Sequence, residues 1–260
     1  MSATTRFTLG TAGLACLLAT ASVSLGANAS GTLTFNSYST GQKIDTEYVG
    51  EYGITISARN TAGGPNVATL YNSGATTGTD SNLMAPFDRG NLAGKALSKL
   101  LVVAANDTDA NGDGKIDKPD DAGSGSLIFD FARPVMCFGF DLVNISGITP
   151  TSGDKGYSVE FFDGSRKLGE VGFDEFITRG TPFYDSTIAY GVNSANRVQP
   201  ILATKFTGGT QYTRAIVNLG GAGAIDDVNW KDIAPVPEPS SLGLLALATP
   251  ALLARRRARS

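Results

Sequence analysis

Short β-prone runs separated by turn residues constrain this chain more than any other feature. They fall at 32–36, 53–58, 67–71, 97–105, 126–131, 135–143, 157–162, 167–173, 186–190, 201–206, 213–219 and 225–230. No window sustains an apolar period of 3.6, so long amphipathic helices are not expected. Gly, Pro, Asn and Asp fill the gaps, as in Ala62-Gly63-Gly64-Pro65-Asn66, and these residues make turns because they tolerate or impose special backbone angles. Asp163-Gly164-Ser165, between two alternating runs, predicts a hairpin. Many short strands at this spacing predict an all-β body, an antiparallel β-sandwich of jelly-roll type.

Each end of the chain carries an apolar segment that does not belong to that pattern. Arg6 precedes an apolar run over 9–25, followed by Ala27-Asn28-Ala29. That is the three-part form of a secretory signal peptide, a helix over residues 1–29 with cleavage expected after Ala29. Cys16 follows Gly13-Leu14-Ala15, which lacks the aliphatic first residue of a lipoprotein signal. At the other end Val236-Pro237-Glu238-Pro239 leads into an apolar run and then Arg255-Arg256-Arg257-Ala258-Arg259. The prolines hold the preceding segment extended, so a hydrophobic helix starts afresh after them. From residue 240 to residue 254 that helix spans roughly 22 Å, at about 1.5 Å per residue, short of the ~30 Å hydrocarbon core. The arginines hold their end on the cytoplasmic side by the positive-inside bias, which leaves the body outside.

This tail, residues 236–260, resembles the PEP-CTERM sorting signal of bacteria that produce exopolysaccharide. The resemblance implies recognition by an exosortase-type processing enzyme, transient anchoring in the inner membrane and removal of the tail. The alternative is a permanent C-terminal anchor. The body then comprises residues 30–235. Setting aside Arg6, Arg255, Arg256, Arg257 and Arg259 leaves it 16 basic residues, and setting aside Glu238 leaves 23 acidic ones, a net charge of −7. An acidic exported body gives no electrostatic reason to bind nucleic acid.

Roughly 200 residues suffice for one sizeable core. Only Cys137 remains after export, so stability must come from packing or metal rather than an internal disulfide. Val135, Met136, Phe138 and Phe140 surround that cysteine, which reads as a buried free thiol. Histidine is absent, which removes Ser-His-Asp and Cys-His catalysis, His-bound zinc and imidazole proton shuttles.

One loop carries specific chemistry. In the twelve residues 109–120, oxygen-bearing side chains stand at positions 1, 3, 5, 9 and 12: Asp109, Asn111, Asp113, Asp117 and Asp120. Gly114 takes the sharp turn at position 6, the Lys115 carbonyl is available at 7, and Ile116 is the apolar anchor at 8. Calcium takes six to eight hard oxygens at about 2.4 Å, and a tightly turned loop delivers them from nearby positions. The loop resembles the calcium loops of dockerins and EF-hands, with Asp closing the site where EF-hands usually place Glu. Apolar residues 100–105 ahead of it, and Pro119 within it, depart from the paired flanking helices of an EF-hand. The alternative is an acidic solvated turn.

Parts of the body also resemble a β-sandwich family common among PEP-CTERM proteins. The residues concerned are Ile44-Asp45-Thr46-Glu47-Tyr48 with Tyr52-Gly53-Ile54-Thr55-Ile56, and Thr77-Gly78-Thr79-Asp80-Ser81-Asn82-Leu83. They continue with Phe129-Asp130-Phe131-Ala132-Arg133-Pro134-Val135, Phe138-Gly139-Phe140-Asp141 and Gly223-Ala224-Ile225-Asp226-Asp227-Val228. The likeness implies fold and compartment rather than activity.

Weaker constellations remain. Asp226 and Asp227 could meet Asp45 and Glu47 if the terminal strands lie side by side, as a second cation site or as caps on loop amides. Tyr38, Tyr48, Tyr52, Tyr71, Tyr184, Tyr190, Tyr212 and Trp230 are candidate sugar platforms or core residues. Glu160, Glu170 and Glu175 are the carboxylates a glycosidase would draw on, if two stood about 5–10 Å apart across a cleft. The reading that follows is a non-enzymatic, exported protein of the cell envelope or exopolysaccharide matrix, structural or adhesive, with a structural Ca2+ ion. A carbohydrate-binding module is the second reading and a glycoside hydrolase the third.

Overall fold

The computed structural model describes residues 30–74, 80–153 and 156–232. The proposed signal segment 1–29 and the proposed sorting signal, with Val236, Pro237, Glu238, Pro239, Arg255, Arg256 and Arg257, lie outside the described residues.

Ten strands follow in chain order: β1 (Ser30–Leu33), β2 (Ile54–Asn60), β3 (Ala68–Asn72), β4 (Lys99–Val103), β5 (Gly125–Val143), β6 (Ser158–Asp163), β7 (Arg166–Gly172), β8 (Ala195–Leu202), β9 (Tyr212–Leu219) and β10 (Ala224–Asp232). Their ladders are all antiparallel. Helical structure among the described residues is confined to α1 (Val49–Tyr52) and single 3-10 turns. No described helix is long and apolar enough to cross a membrane.

The 19-residue β5 is the spine. Its first part, up to Phe131, lies between β2 and β9, with β6 and β7 continuing beyond β9. Its second part, from Val135, lies between β8 and β10, with β4 and β3 continuing beyond β10. β1 shares the β4 edge of β10. The partners change around Pro134, where the register to β9 jumps from Asp130 to Val135. A proline has no N–H to give a ladder, and at this switch none is required. Sequence spacing divides the stretch into 126–131 and 135–143; the chain bends through the proline instead of stopping.

Alternation along the strands sends one face inward. In β2, Ile54, Ile56 and Ala58 are buried while Thr55, Ser57 and Arg59 are exposed. The two wings of the sheet meet at Phe138, whose ring contacts Phe129 at 5.4 Å, Phe131 at 6.0 Å, Phe140 at 5.4 Å and Phe161 of β6 at 6.3 Å. Burying such a side chain contributes about 1.5–3 kcal/mol. Cys137, beside it, is only half-buried, because its side chain points away from that core face.

Two expectations fail. Residues 186–190 form a turn and coil; the strand lies later, at β8, with the 3-10 turn Ala203–Lys205 taking the place of the strand end. Asn196, Arg197, Gln199 and Pro200 hide β8 from a propensity reading. It is an edge strand here, bonded to β5 alone among the described strands, and Pro200 falls where the register to β5 shifts, between the Val198–Phe140 and Ile201–Phe138 pairs, a bulge that tolerates proline. Gly139 stands opposite, where a Cβ would come within 3.0 Å of the Pro200 nitrogen. The hairpin at Asp163-Gly164-Ser165 forms as expected, with Gly164 at φ 59°.

Candidate functional site

The 109–120 loop leaves the sheet after β4 and returns by pairing Ala104 with Asp121. Strand structure flanks it on both sides, in contrast to the helices of an EF-hand. The loop folds around its own carboxylates. The Gly112 and Asp113 amides donate to Asp109 Oδ1 at 2.7 and 3.1 Å, and the Gly114 amide donates to Oδ2 at 2.8 Å. Asn111 Oδ1 accepts from the Asp113 amide at 2.9 Å, Asp113 Oδ1 from Lys115 at 3.0 Å, and Asp117 Oδ2 from Ala110 at 2.8 Å. Lys115 Nζ lies 3.9 Å from Asp113, an exposed pair worth little. Gly112 and Gly114 take φ of 74° and 83°, which lets successive amides converge on one carboxylate.

Ile116 fixes the loop to the body. It is buried, and its amide donates to the Gly41 carbonyl at 2.9 Å. Gly41 itself has φ 77°, and a Cβ there would stand 2.1 Å from the Ile116 carbonyl oxygen. Asp109, Asn111, Asp113, Asp117 and the Lys115 carbonyl supply hard oxygens on a pre-turned loop, a donor chemistry that suits calcium, but the side-chain oxygens of the four are turned onto the loop's own amides, and among the described residues the acidic groups that converge on one point are Asp80, Asp120 and Asp121.

Asp120 is placed differently. One oxygen each from Asp120, Asp121 and Asp80 lie within 4.8 Å of one another. Asp80 is anchored by capping the Asn82 amide at 2.7 Å, and its carbonyl accepts from the Tyr71 hydroxyl at 2.7 Å. Asp121 Oδ2 is buried without a hydrogen-bond partner among the described residues. Burial, reinforced by Asp80, raises the Asp121 carboxyl above its usual range. The end of the twelve-residue motif thus joins a carboxylate group whose other members, Asp80 and Asp121, the loop pattern does not contain.

Among the described residues the acids at the terminal strands do not converge as a cation-type group. β1 does lie beside β10, but Asp45 Oδ1 caps the Thr46 amide, Glu47 Oε2 accepts from the Asp45 amide at 2.7 Å, and Asp226 Oδ1 accepts from the Asp227 amide at 2.8 Å. Asp227 pairs with Arg197 at 2.7 Å, and the same guanidinium holds the fully buried Asp141. Desolvation pushes Asp226 up to about 8, with Asp227 and Asp141 adding to the rise. Amide capping accounts for these groups. Arg197 stands out in sequence only as a charge in a polar stretch.

Glu160 and Glu170 sit opposite each other on β6 and β7, and Lys167 Nζ bridges them at 2.9 and 2.6 Å. Glu175 accepts from the Gly172 amide at 3.1 Å. Of the aromatic candidates, Tyr48, Tyr71, Tyr212 and Trp230 are buried, and Tyr38, Tyr48, Tyr52 and Trp230 form a chain of ring contacts. The half-buried Tyr190 packs on Phe173 and donates to its carbonyl at 3.1 Å. Among the described residues Tyr184 has neither a ring contact nor a hydroxyl partner. Comparison with protein-family models, curated proteins and solved structures gave no match.

Proposed function

We propose that this chain is an exported bacterial protein of the cell envelope or exopolysaccharide matrix, structural or adhesive in role. Its tail is read as a PEP-CTERM signal handled by an exosortase-type enzyme, and its body as a sandwich of jelly-roll type stabilised by calcium. The observation that carries the reading is the loop at Asp109, where three amides converge on one carboxylate and Ile116 locks the turn to Gly41. Sites of about 10⁻⁴–10⁻³ M affinity are typical of extracellular calcium modules, so such a loop suits an exported body. The sandwich is supported by Phe138 touching Phe161 across the wings, and the jelly-roll type by β1 lying against β10. Mass spectrometry of the protein recovered from culture fluid tests the export reading. It is expected to begin at Ser30 and end before the apolar tail; an intact chain confined to the cytosol would overturn it.

A carbohydrate-binding role is the second reading, favoured by Tyr184 and the cleft it lines.

A further inference from the structure

An open cleft of about 420 Å³ lies between the outer edge of β8 and the segment 176–188, within the ~300–1,000 Å³ of small-molecule sites. Phe183, Tyr184, Pro200 and Leu202 give it apolar walls, and Gln199 and Lys205 add polar ends. The segment is packed against the body. Its rings form a continuous contact from Phe173 through Phe176 and Phe183 to Phe206, and the Asp185 amide donates to the Phe176 carbonyl at 2.8 Å. A ligand entering the cleft therefore has little loop to order.

Three polar groups on the lining, the Tyr184 hydroxyl, the Gln199 amide and the Lys205 ammonium, have no intramolecular partner among the described residues. Leu202 is 44% exposed, one of three large apolar side chains left so among the described residues. A flat aromatic ring beside apolar surface, rimmed by unpaired donors and acceptors, matches a pyranose, with its C–H face and its ring of hydroxyls. A peptide strand is the other candidate for an open sheet edge. Pro200 and the bulge it sits in lie in the middle of the cleft, and a proline-bearing, bulged edge resists strand addition. An acyl chain would strip water from Gln199 and Lys205 with nothing in exchange.

We propose that this cleft is a saccharide-binding site in which Tyr184 stacks on a pyranose ring while Gln199 and Lys205 hydrogen-bond its hydroxyls. The proposal deepens the matrix reading and rests on it for the source of the sugar. The full chain is run by affinity electrophoresis through gels containing hydroxyethylcellulose, alginate or exopolysaccharide purified from the expressing cells. Retardation in at least one polymer is expected. Tyr184→Ala should weaken that retardation at least tenfold and Gln199→Ala severalfold, while Tyr184→Phe stays within about threefold of the parent. Tyr184 makes no ring contact with the core among the described residues, so an unchanged melting temperature will show that its variants are folded. Absence of retardation in all three gels, or equal retardation of parent and Tyr184→Ala, overturns the proposal. Sugar binding by a chain that never leaves the cell would defeat the matrix reading alone, and matrix association without retardation would defeat the cleft alone.

Discussion

Arg197 grips Asp141 through two parallel hydrogen bonds, Nε to Oδ1 at 2.7 Å and Nη2 to Oδ2 at 2.8 Å, and Asp141 is fully buried. Burial raises the Asp141 carboxyl, and the guanidinium opposes that rise. The pair joins β8 to β5 in the same register that their backbones share. Arg197→Ala should strand an uncompensated carboxylate and cost about 2–3 kcal/mol, less than a fully buried pair because the arginine is 44% exposed. For a body of this size that lowers Tm by roughly 5–10 °C. Adding Asp141→Asn should recover part of the loss in calorimetry; a double variant no better than the single one contradicts this assignment.

Asp226 sets a pH dependence of stability. Its folded-state carboxyl titrates at about 8, far above the ordinary value of 3.8, because burial disfavours the charge. The native state then binds more protons than the unfolded state between about pH 4 and 8, so stability from this group falls as pH rises through that window. Each tenfold change in acidity is worth about 1.4 kcal/mol. Asp226→Asn keeps an oxygen for the Asp227 amide and removes the charge. Urea midpoints at pH 5 and pH 8.5 should lie closer together in the variant, with the gain at the higher pH; an unchanged gap would refute it.

Gly41→Ala addresses the seat of the loop. The residue sits at positive φ, and the added methyl would meet the Ile116 carbonyl at 2.1 Å. Backbone strain of this kind costs about 1–3 kcal/mol. Urea denaturation should show a lower midpoint at unchanged slope, together with a smaller response to calcium than the parent protein has. Parent-like stability would mean that the loop is not tied to the body through Gly41.

Much of the body was legible because alternation decides which face is buried, as at Ile54, Ile56 and Ala58. β8 was not, since Arg197 and Pro200 serve an ion pair and an edge, and neither role leaves a strand-like pattern. Residues 186–190 look β-prone, yet Asp185 caps the Thr187 amide at 2.8 Å and turns the chain there. The loop at 109–117 was readable because its contacts are local. The grouping of Asp120 with Asp80 and Asp121 draws on a residue forty positions away, and no local pattern carries that. Tyr184 looked like seven other aromatics until packing showed which of them were already occupied.

The central claim, that the Asp109 loop holds a structural calcium ion, is tested most directly by melting the parent protein and Asp109→Ala with 5 mM calcium and with chelator. A tenfold excess over the dissociation constant stabilises by about 1.4 kcal/mol, or roughly 3–5 °C here. Asp109 also caps three amides, so the variant starts from a lower Tm and the increment is the quantity to compare. The account predicts that calcium raises the Tm of the parent and leaves that of Asp109→Ala unmoved. Equal increments in both proteins, or none in the parent, would contradict it.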